Sequence, residues 1–255
     1  MNLILLDVDG TLTPPRLSIE EDMISCLKKI KKEKTFLGKP FHIGFLGGSD
    51  YKKQIEQLGE EHLDLFDWKL TENGLITYFK TEMVHRNSFS DFLGEDKFQD
   101  LVNIVLKIFS TVKIPALVKR GTFIEYRIGM INISPIGRQC SQKERNQFEG
   151  YDKIYNIRKK IITEIQKEWN RLYPEIELSF SIGGQISIDI FPKGWDKTYF
   201  LNELEKRYDT IYFFGDKTEK GGNDYEIYND PRVKGISVTS PKDTIRILNT
   251  LFSKN

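Results

Sequence analysis

The sequence predicts an α/β protein with a Rossmann-like parallel-sheet core formed by both chain ends and an inserted α+β cap. Three observations predict it. Unbroken apolar runs lie near both termini, at residues 3–6 and 211–214, with a further strand at 41–46, each stopped by Asp or Gly, and such runs suit strands buried on both faces of a parallel sheet. Helical periodicities separate these runs. Between the two ends the pattern changes to alternating strands and two long amphipathic helices, as in a sheet with one solvated or ligand-facing surface. The division is residues 1–86 and 193–255 for the core and 87–192 for the insertion.

Residues 3–6 (LILL) form the first strand, ending at Asp7. Ser18-Ile19-Glu20-Glu21 reads as a capping box, and Met23, Leu27 and Ile30 follow at helical spacing. The lysines of residues 28–34 read as a solvated face, and residues 35–42 as a loop. Residues 41–46 are the second strand, stopped by Gly47-Gly48, after which Ser49-Asp50 open a helix. Residues 68–70 are a third strand, and residues 75–79 follow Glu72-Asn73-Gly74 as part of a hairpin. Phe98, Leu101, Val102, Val105, Leu106 and Phe109 fit one face of a long helix. Residues 122–128 and 130–134 alternate as strands about Gly129. Ile154, Ile157, Ile161, Ile165, Trp169 and Leu172 mark a second long helix. Residues 178–182 and 186–191 alternate about Gly183-Gly184. A helix is expected near Asp196, strands at 211–214 and 236–239, and a terminal helix from Pro241.

Composition narrows the function. Thirty-eight basic residues balance thirty-seven acidic ones, for a net charge of +1. Such a chain has no general attraction to nucleic acid or an anionic membrane. Aromatics make up 12% of the 255 residues, which excludes disorder as the dominant state. The apolar run at residues 3–6 falls far short of the ~20 residues of a membrane span, and no basic n-region precedes it. Cys26 and Cys140 show no CxxC pattern, so free thiols in a reducing, cytoplasmic compartment are expected.

Two constellations carry chemistry. In Asp7-Val8-Asp9-Gly10-Thr11, two carboxylates follow a buried strand, and Gly10 lets the backbone turn sharply. Open α/β sheets place ligands at the carboxyl ends of parallel strands. Carboxylates there can hold Mg²⁺, attack phosphorus or carry a proton. Gly215-Asp216-Lys217-Thr218 and Gly221-Gly222-Asn223-Asp224 follow the late apolar strand, and the two acidic strand ends should converge in one sheet.

These residues resemble the haloacid dehalogenase superfamily of phosphotransferases. In that resemblance Ser49 is the phosphate-binding hydroxyl and Lys197, in Gly194-Trp195-Asp196-Lys197, the basic residue beside the aspartyl phosphate. Longer strings resemble the eukaryotic phosphomannomutase family. They are residues 120–127 (RGTFIEYR), 132–138 (NISPIGR), 179–189 (SFSIGGQISID) and 212–224 (YFFGDKTEKGGND). Residues 35–42 look longer than the family usually has there.

The resemblance implies interconversion of mannose 6-phosphate and mannose 1-phosphate, supplying GDP-mannose synthesis. Asp7 would be the nucleophile, Asp9 the acid–base, and a hexose 1,6-bisphosphate both activator and intermediate. It implies Mg²⁺ on Asp7, the Asp9 carbonyl and Asp216, and a second cation at Tyr228, Asp230 and Val233. It assigns sugar-phosphate binding to Arg16, Arg127, Arg138, Arg145, Ser187 and Asp189. Arginine suits bidentate phosphate binding, and Ser187 and Asp189, two apart, share a strand face. A homodimer through the cap is implied in the same way. The alternative is a sugar-phosphate phosphatase of the same superfamily, in which water replaces the sugar as acceptor.

Overall fold

The structure is a computed structural model that describes residues 1–114 and 118–253. In chain order the elements begin with β1 (Asn2–Asp7), α1 (Glu21–Ile30), β2 (Phe41–Leu46), α2 (Tyr51–Leu58), β3 (Trp68–Thr71), β4 (Ile76–Phe79) and β5 (Glu82–Arg86). There follow α3 (Phe89–Leu93), α4 (Glu95–Thr111), β6 (Ile124–Arg127), β7 (Met130–Ile133), α5 (Gln142–Tyr155), α6 (Ile157–Leu172), β8 (Leu178–Gly183) and β9 (Ser187–Pro192). The chain closes with α7 (Leu201–Leu204), β10 (Thr210–Gly215), α8 (Tyr225–Tyr228), β11 (Val233–Ser237) and α9 (Pro241–Phe252). Two compact units result, Met1–Arg86 with Trp195–Asn255, and Asn87–Gly194.

The first unit holds a seven-stranded sheet in the order β11-β10-β1-β2-β3-β4-β5. The strands from β11 to β3 run parallel, and β4 and β5 are antiparallel. Every residue of β1 is buried, because β10 and β2 flank it and helices cover both faces. Ile4 and Leu6 join the cluster containing Met23 and Leu27 of α1 and Leu248 of α9, while Leu3 and Leu5 join Leu201 and Leu204 of α7 on the other side. Parallel register pairs Asp7 with Leu46 and Leu6 with Phe214. The ends of β1, β2 and β10 therefore lie side by side, where the acidic turns emerge.

The second unit holds an antiparallel sheet in the order β6-β7-β9-β8. Ile131, Ile133, Ile188 and Ile190 are fully buried on one face, and α6 packs against β8 and β9. The alternate residues Glu125, Asn132, Asp189 and Ser181 stand in one cross-strand row on the opposite face.

Several local expectations are corrected. Ser18 does not cap α1. Its N-cap is Glu20, with no side-chain cap bond, because Ile19 N–H donates to the Gln57 carbonyl at 2.8 Å and holds the approach extended. Ile154 belongs to α5 rather than α6 and is 70% exposed, since the left-handed Asn156 breaks the helix between them. In α4, Leu106 points outward, and Ile104 joins Leu101, Val105 and Phe109 in the buried face. The helix expected near Asp196 starts only at Leu201. Asp196 instead closes a turn, accepting from Thr198 N–H at 2.8 Å and Thr198 Oγ1 at 2.7 Å. The last strand spans Val233–Ser237 rather than 236–239. There Gly235 lies so close to Tyr228 that a Cβ would come within 2.5 Å of it.

Candidate active site

Asp7 ends β1 and is 3% exposed. Lys197 is 2% exposed and reaches it from the turn made by Asp196, donating to Asp7 Oδ1 and, at 2.5 Å, to Asp224 Oδ1. Asp224 is fully buried, and its other oxygen accepts from the Lys217 N–H at 3.0 Å. Burial pushes the Asp7 carboxyl up to about 7, against the pull of Lys197 and with the Asp224 charge adding to the rise. Burial alone would lower the Lys197 ammonium, but Asp7 and Asp224 together hold it above its ordinary value. The two buried carboxylates keep Lys197 protonated, and one cation against two carboxylates leaves the cluster with a deficit of positive charge.

Asp216 follows β10. Gly10 has φ of +82°, and a Cβ there would lie 2.3 Å from Asp216 Oδ2. Only glycine combines that left-handed backbone with that approach. Asp216 Oδ1 is buried without a hydrogen-bond partner, and burial raises the carboxyl, with Lys217 opposing and Asp224 adding to the rise. Carboxylate oxygens of Asp7, Asp216 and Asp224 lie within 4.8 Å of one another. An orphaned buried oxygen within a hard-oxygen set fits Mg²⁺. Asp7 and Asp216 are the side chains suited to hold it, because both Asp224 oxygens already accept hydrogen bonds.

Asp9 lies two residues on. Its Oδ1 accepts from the Arg16 N–H and from Gln57 Nε2, each at 2.7 Å. Arg16 thus contacts Asp9 through its backbone, in a left-handed conformation with φ of 62°. Ser49 follows β2, and the N-cap of α2 is Asp50, which accepts from the Lys53 N–H at 2.9 Å. Ser49 is therefore not the cap residue. It lines a pocket of about 120 Å³ with Asp7, Asp9 and Lys217, and an adjoining cleft of about 570 Å³ with Asp9, Arg16 and Lys53.

The polar sheet face of the second unit gathers most of the other expected residues. Arg127 Nε and Arg138 Nε pair with the two oxygens of Glu125 at 2.8 and 2.7 Å. Arg138 also donates to Asn132 Oδ1, and Asn132 Nδ2 donates to Asp189 Oδ1 at 2.6 Å. Arg145 donates to the Arg138 carbonyl at 2.7 Å, so it braces the Arg138 loop. Ser187 Oγ donates to the Gly183 carbonyl at 3.1 Å.

Tyr228, Asp230 and Val233 are not members of the carboxylate cluster. Arg232 engages both Asp230 oxygens, from Nε at 2.8 Å and Nη2 at 2.7 Å, and its hydrogen bonds hold the Asp230 carboxyl below its usual value. For a second cation this segment offers main-chain oxygens. Among the described residues the acidic cluster able to hold a metal is Asp7, Asp216 and Asp224.

Sequence reasoning missed Gln57, Glu125 and the buried pair Asp152–Arg158. Arg158 Nε donates to Asp152 at 2.7 Å, and its Nη1 binds the Gly183, Gly184 and Ser187 carbonyls. It therefore clamps the turn that carries Ser187. Gln57 was within reach, as a polar residue in the last turn of the short helix that opens beside Gly47-Gly48-Ser49.

A family model described as eukaryotic phosphomannomutase matches residues 27–254. This chain belongs to the eukaryotic phosphomannomutase family. Phosphomannomutases of Saccharomyces cerevisiae and Schizosaccharomyces pombe are 50% and 51% identical to it, each over 98% of this chain and 94% of their own length. Membership in the phosphomannomutase family makes it an enzyme, an isomerase. Solved structures share the fold at low identity. A trehalose-6-phosphate phosphatase of Aspergillus fumigatus has a TM-score of 0.63 at 14% identity, covering 99% of this chain and 92% of that one. An IMP-nucleotidase of Plasmodium falciparum has a TM-score of 0.63 at 16% identity, covering 100% and 67%. These neighbours share the fold of this chain over nearly its whole length. The family match begins after Asp7 and Asp9.

Proposed function

We propose that this enzyme interconverts mannose 6-phosphate and mannose 1-phosphate through an aspartyl phosphate on Asp7 and a hexose 1,6-bisphosphate. The reading is carried by Asp7, a buried carboxylate at a strand end held by Lys197 and two residues from a second carboxylate, in a chain of this family. An Asp7 oxygen attacks phosphorus of the bisphosphate, and the bond from phosphorus to the sugar oxygen breaks. Asp9 gives that oxygen its proton, and on the return it takes the proton from the hydroxyl that attacks the aspartyl phosphate. Lys197 stays charged throughout and offsets negative charge at Asp7. Asp7, Asp216 and the Asp9 carbonyl would hold Mg²⁺, which when bound neutralises charge on the transferred group.

Arg127 and Arg138 grip the phosphate that is not reacting, with Arg145 bracing the second of them. Arg16 and Ser49 line the spaces beside Asp9, and Ser187 and Asp189 present polar groups to the sugar. The hexose bisphosphate serves as activator by priming Asp7, and the product feeds GDP-mannose synthesis. We place the enzyme in the cytoplasm as a homodimer paired through the second unit. Its two cysteines are free and buried, which suits a reducing compartment.

A coupled assay of mannose 1-phosphate conversion, with and without a hexose 1,6-bisphosphate, tests the reading. Activation by the bisphosphate with little release of inorganic phosphate is expected. Stoichiometric phosphate release without isomerisation would make the enzyme a phosphatase.

A further inference from the structure

Asp9 has two oxygens, and a carboxylate free to rotate offers either to a proton. Here one is taken. Oδ1 accepts two hydrogen bonds at 2.7 Å, from the Arg16 N–H and from Gln57 Nε2, and among the described residues no donor reaches Oδ2. Gln57 is itself held at both ends. Its second side-chain N–H donates to Thr13 Oγ1 at 3.0 Å, and its main-chain carbonyl accepts from the Ile19 N–H at 2.8 Å. Thr13 is fully buried. The Gln57 amide therefore has a fixed place from which to hold Asp9.

The position of Asp9 gives this contact a purpose. Asp9, Ser49 and Gln57 line both the 120 Å³ pocket, which also contains Asp7, and the 570 Å³ cleft, which also contains Arg16. The small pocket suits the phosphoryl group, and the larger cleft suits the molecule that gives or receives it. Asp9 stands at the seam, where the bond between phosphorus and sugar oxygen is made and broken.

We infer that Gln57 is a positioning residue for Asp9, holding Oδ1 together with the Arg16 N–H so that Oδ2 is the oxygen that exchanges the proton. The inference rests on the mutase reading. As the Asp7 oxygen bonds to phosphorus and the sugar oxygen departs, the proton passes from Asp9 Oδ2 to that oxygen. In the second half-reaction Oδ2 takes it from the attacking hydroxyl. Gln57 is neutral, exchanges no proton and needs no contact with the sugar.

Two variants of the full chain test this. Gln57→Met removes both N–H groups at similar volume, and Gln57→Asn keeps the amide but withdraws it by one methylene. Each is assayed for sugar-phosphate isomerisation and, in single turnover, for acetate release from acetyl phosphate. Acetate is a weak base and leaves without a proton, so phosphorylation of Asp7 by this route bypasses Asp9. We expect kcat for the sugar phosphate to fall about 10²-fold, the scale of a misplaced catalytic group, with KM and single-turnover acetate release unchanged. Gln57→Met should add no further loss in an Asp9→Asn background, because the group it serves is gone.

Equal losses with both phosphoryl donors would overturn the inference and make Gln57 a support of the fold or of the phosphoryl pocket. A raised KM with normal kcat would overturn it too, as the mark of a direct substrate contact. Failure of the mutase reading looks different. The wild-type chain would then hydrolyse the sugar phosphate without isomerising it, and the same comparison, run on that hydrolysis, still decides the role of Gln57.

Discussion

Asp7 sits where its ionised form is least favoured. Its carboxyl is pushed up to about 7, chiefly by burial, so the folded chain holds the proton more tightly than the unfolded chain does. That contribution to stability is full below the ordinary value of 3.8 and is lost as pH rises through about 7. Above pH 7 the ionised group is a liability that function retains. Asp7→Asn should therefore abolish phosphoryl transfer yet raise Tm over wild type at pH 8 in EDTA, with the gain shrinking as pH falls towards 4. A wild type more stable than the variant at pH 8 would show that pairing with Lys197 outweighs burial. Lys197→Met should act in the opposite direction. It strands Asp7 and Asp224, both buried, and breaking a buried pair in this way costs about 3–5 kcal/mol, measurable by urea denaturation at pH 7. At this scale Asp7, Asp9 and Asp216 were legible because charge directly after an apolar run has few other uses, and Lys197 was reached only through the family resemblance. Gln57 and Glu125 were not. An uncharged amide leaves no trace in a charge pattern, and the place of Glu125 between two arginines depends on strand pairing and on a loop.

Elements were legible where burial set the pattern and illegible where a single backbone contact did. The fully buried β1 and β10 and the faces of α4 and α6 stand out in the sequence, since their apolar residues have one place to go. β5 did not, because as an edge strand it is largely exposed and carries no alternation. Nor did the start of α1, which depends on a hydrogen bond between Ile19 and the Gln57 carbonyl across the fold. Periodicity alone also ran Ile154 into the following helix, whereas Asn156, in a left-handed conformation with φ of 53°, ends α5 and begins α6. The two positions should therefore respond differently. Ile154→Gln, at an exposed site, should change stability by no more than about 0.5 kcal/mol. Ile161→Ala, 2% exposed in α6, should cost about 2–5 kcal/mol. Chemical denaturation of both variants checks the assignment, and comparable losses would return Ile154 to the buried face.

At the scale of the whole molecule, the proposed reading divides the chemistry between the two units. The inserted pattern was legible because alternating strands contrast with the buried runs on either side. How the polar face of that sheet is wired was not, because Glu125, Asn132 and Asp189 meet only through strand register. The carboxylates and Lys197 belong to the first unit, and Arg127 and Arg138 to the second. On that reading, a substrate with one small phosphoryl group needs only the first. A sugar bisphosphate has a second phosphate to hold, and Arg138 is placed among polar partners able to present it. Arg138→Ala should therefore weaken sugar-phosphate turnover while leaving single-turnover acetate release from acetyl phosphate unchanged. Glu125 keeps Arg127 as a partner in that variant, so the sheet retains an ion pair and the fold should hold, as circular dichroism can verify. Loss of one charge-assisted contact is worth about 1.5–3 kcal/mol, or about 10–200-fold in kcat/KM by the tenfold-per-1.36 kcal/mol rule. Equal losses on both substrates would mean that Arg138 serves the reacting phosphate or the fold. The division of labour between the units, and with it the two-ended grip that a mutase needs, would then have to be abandoned.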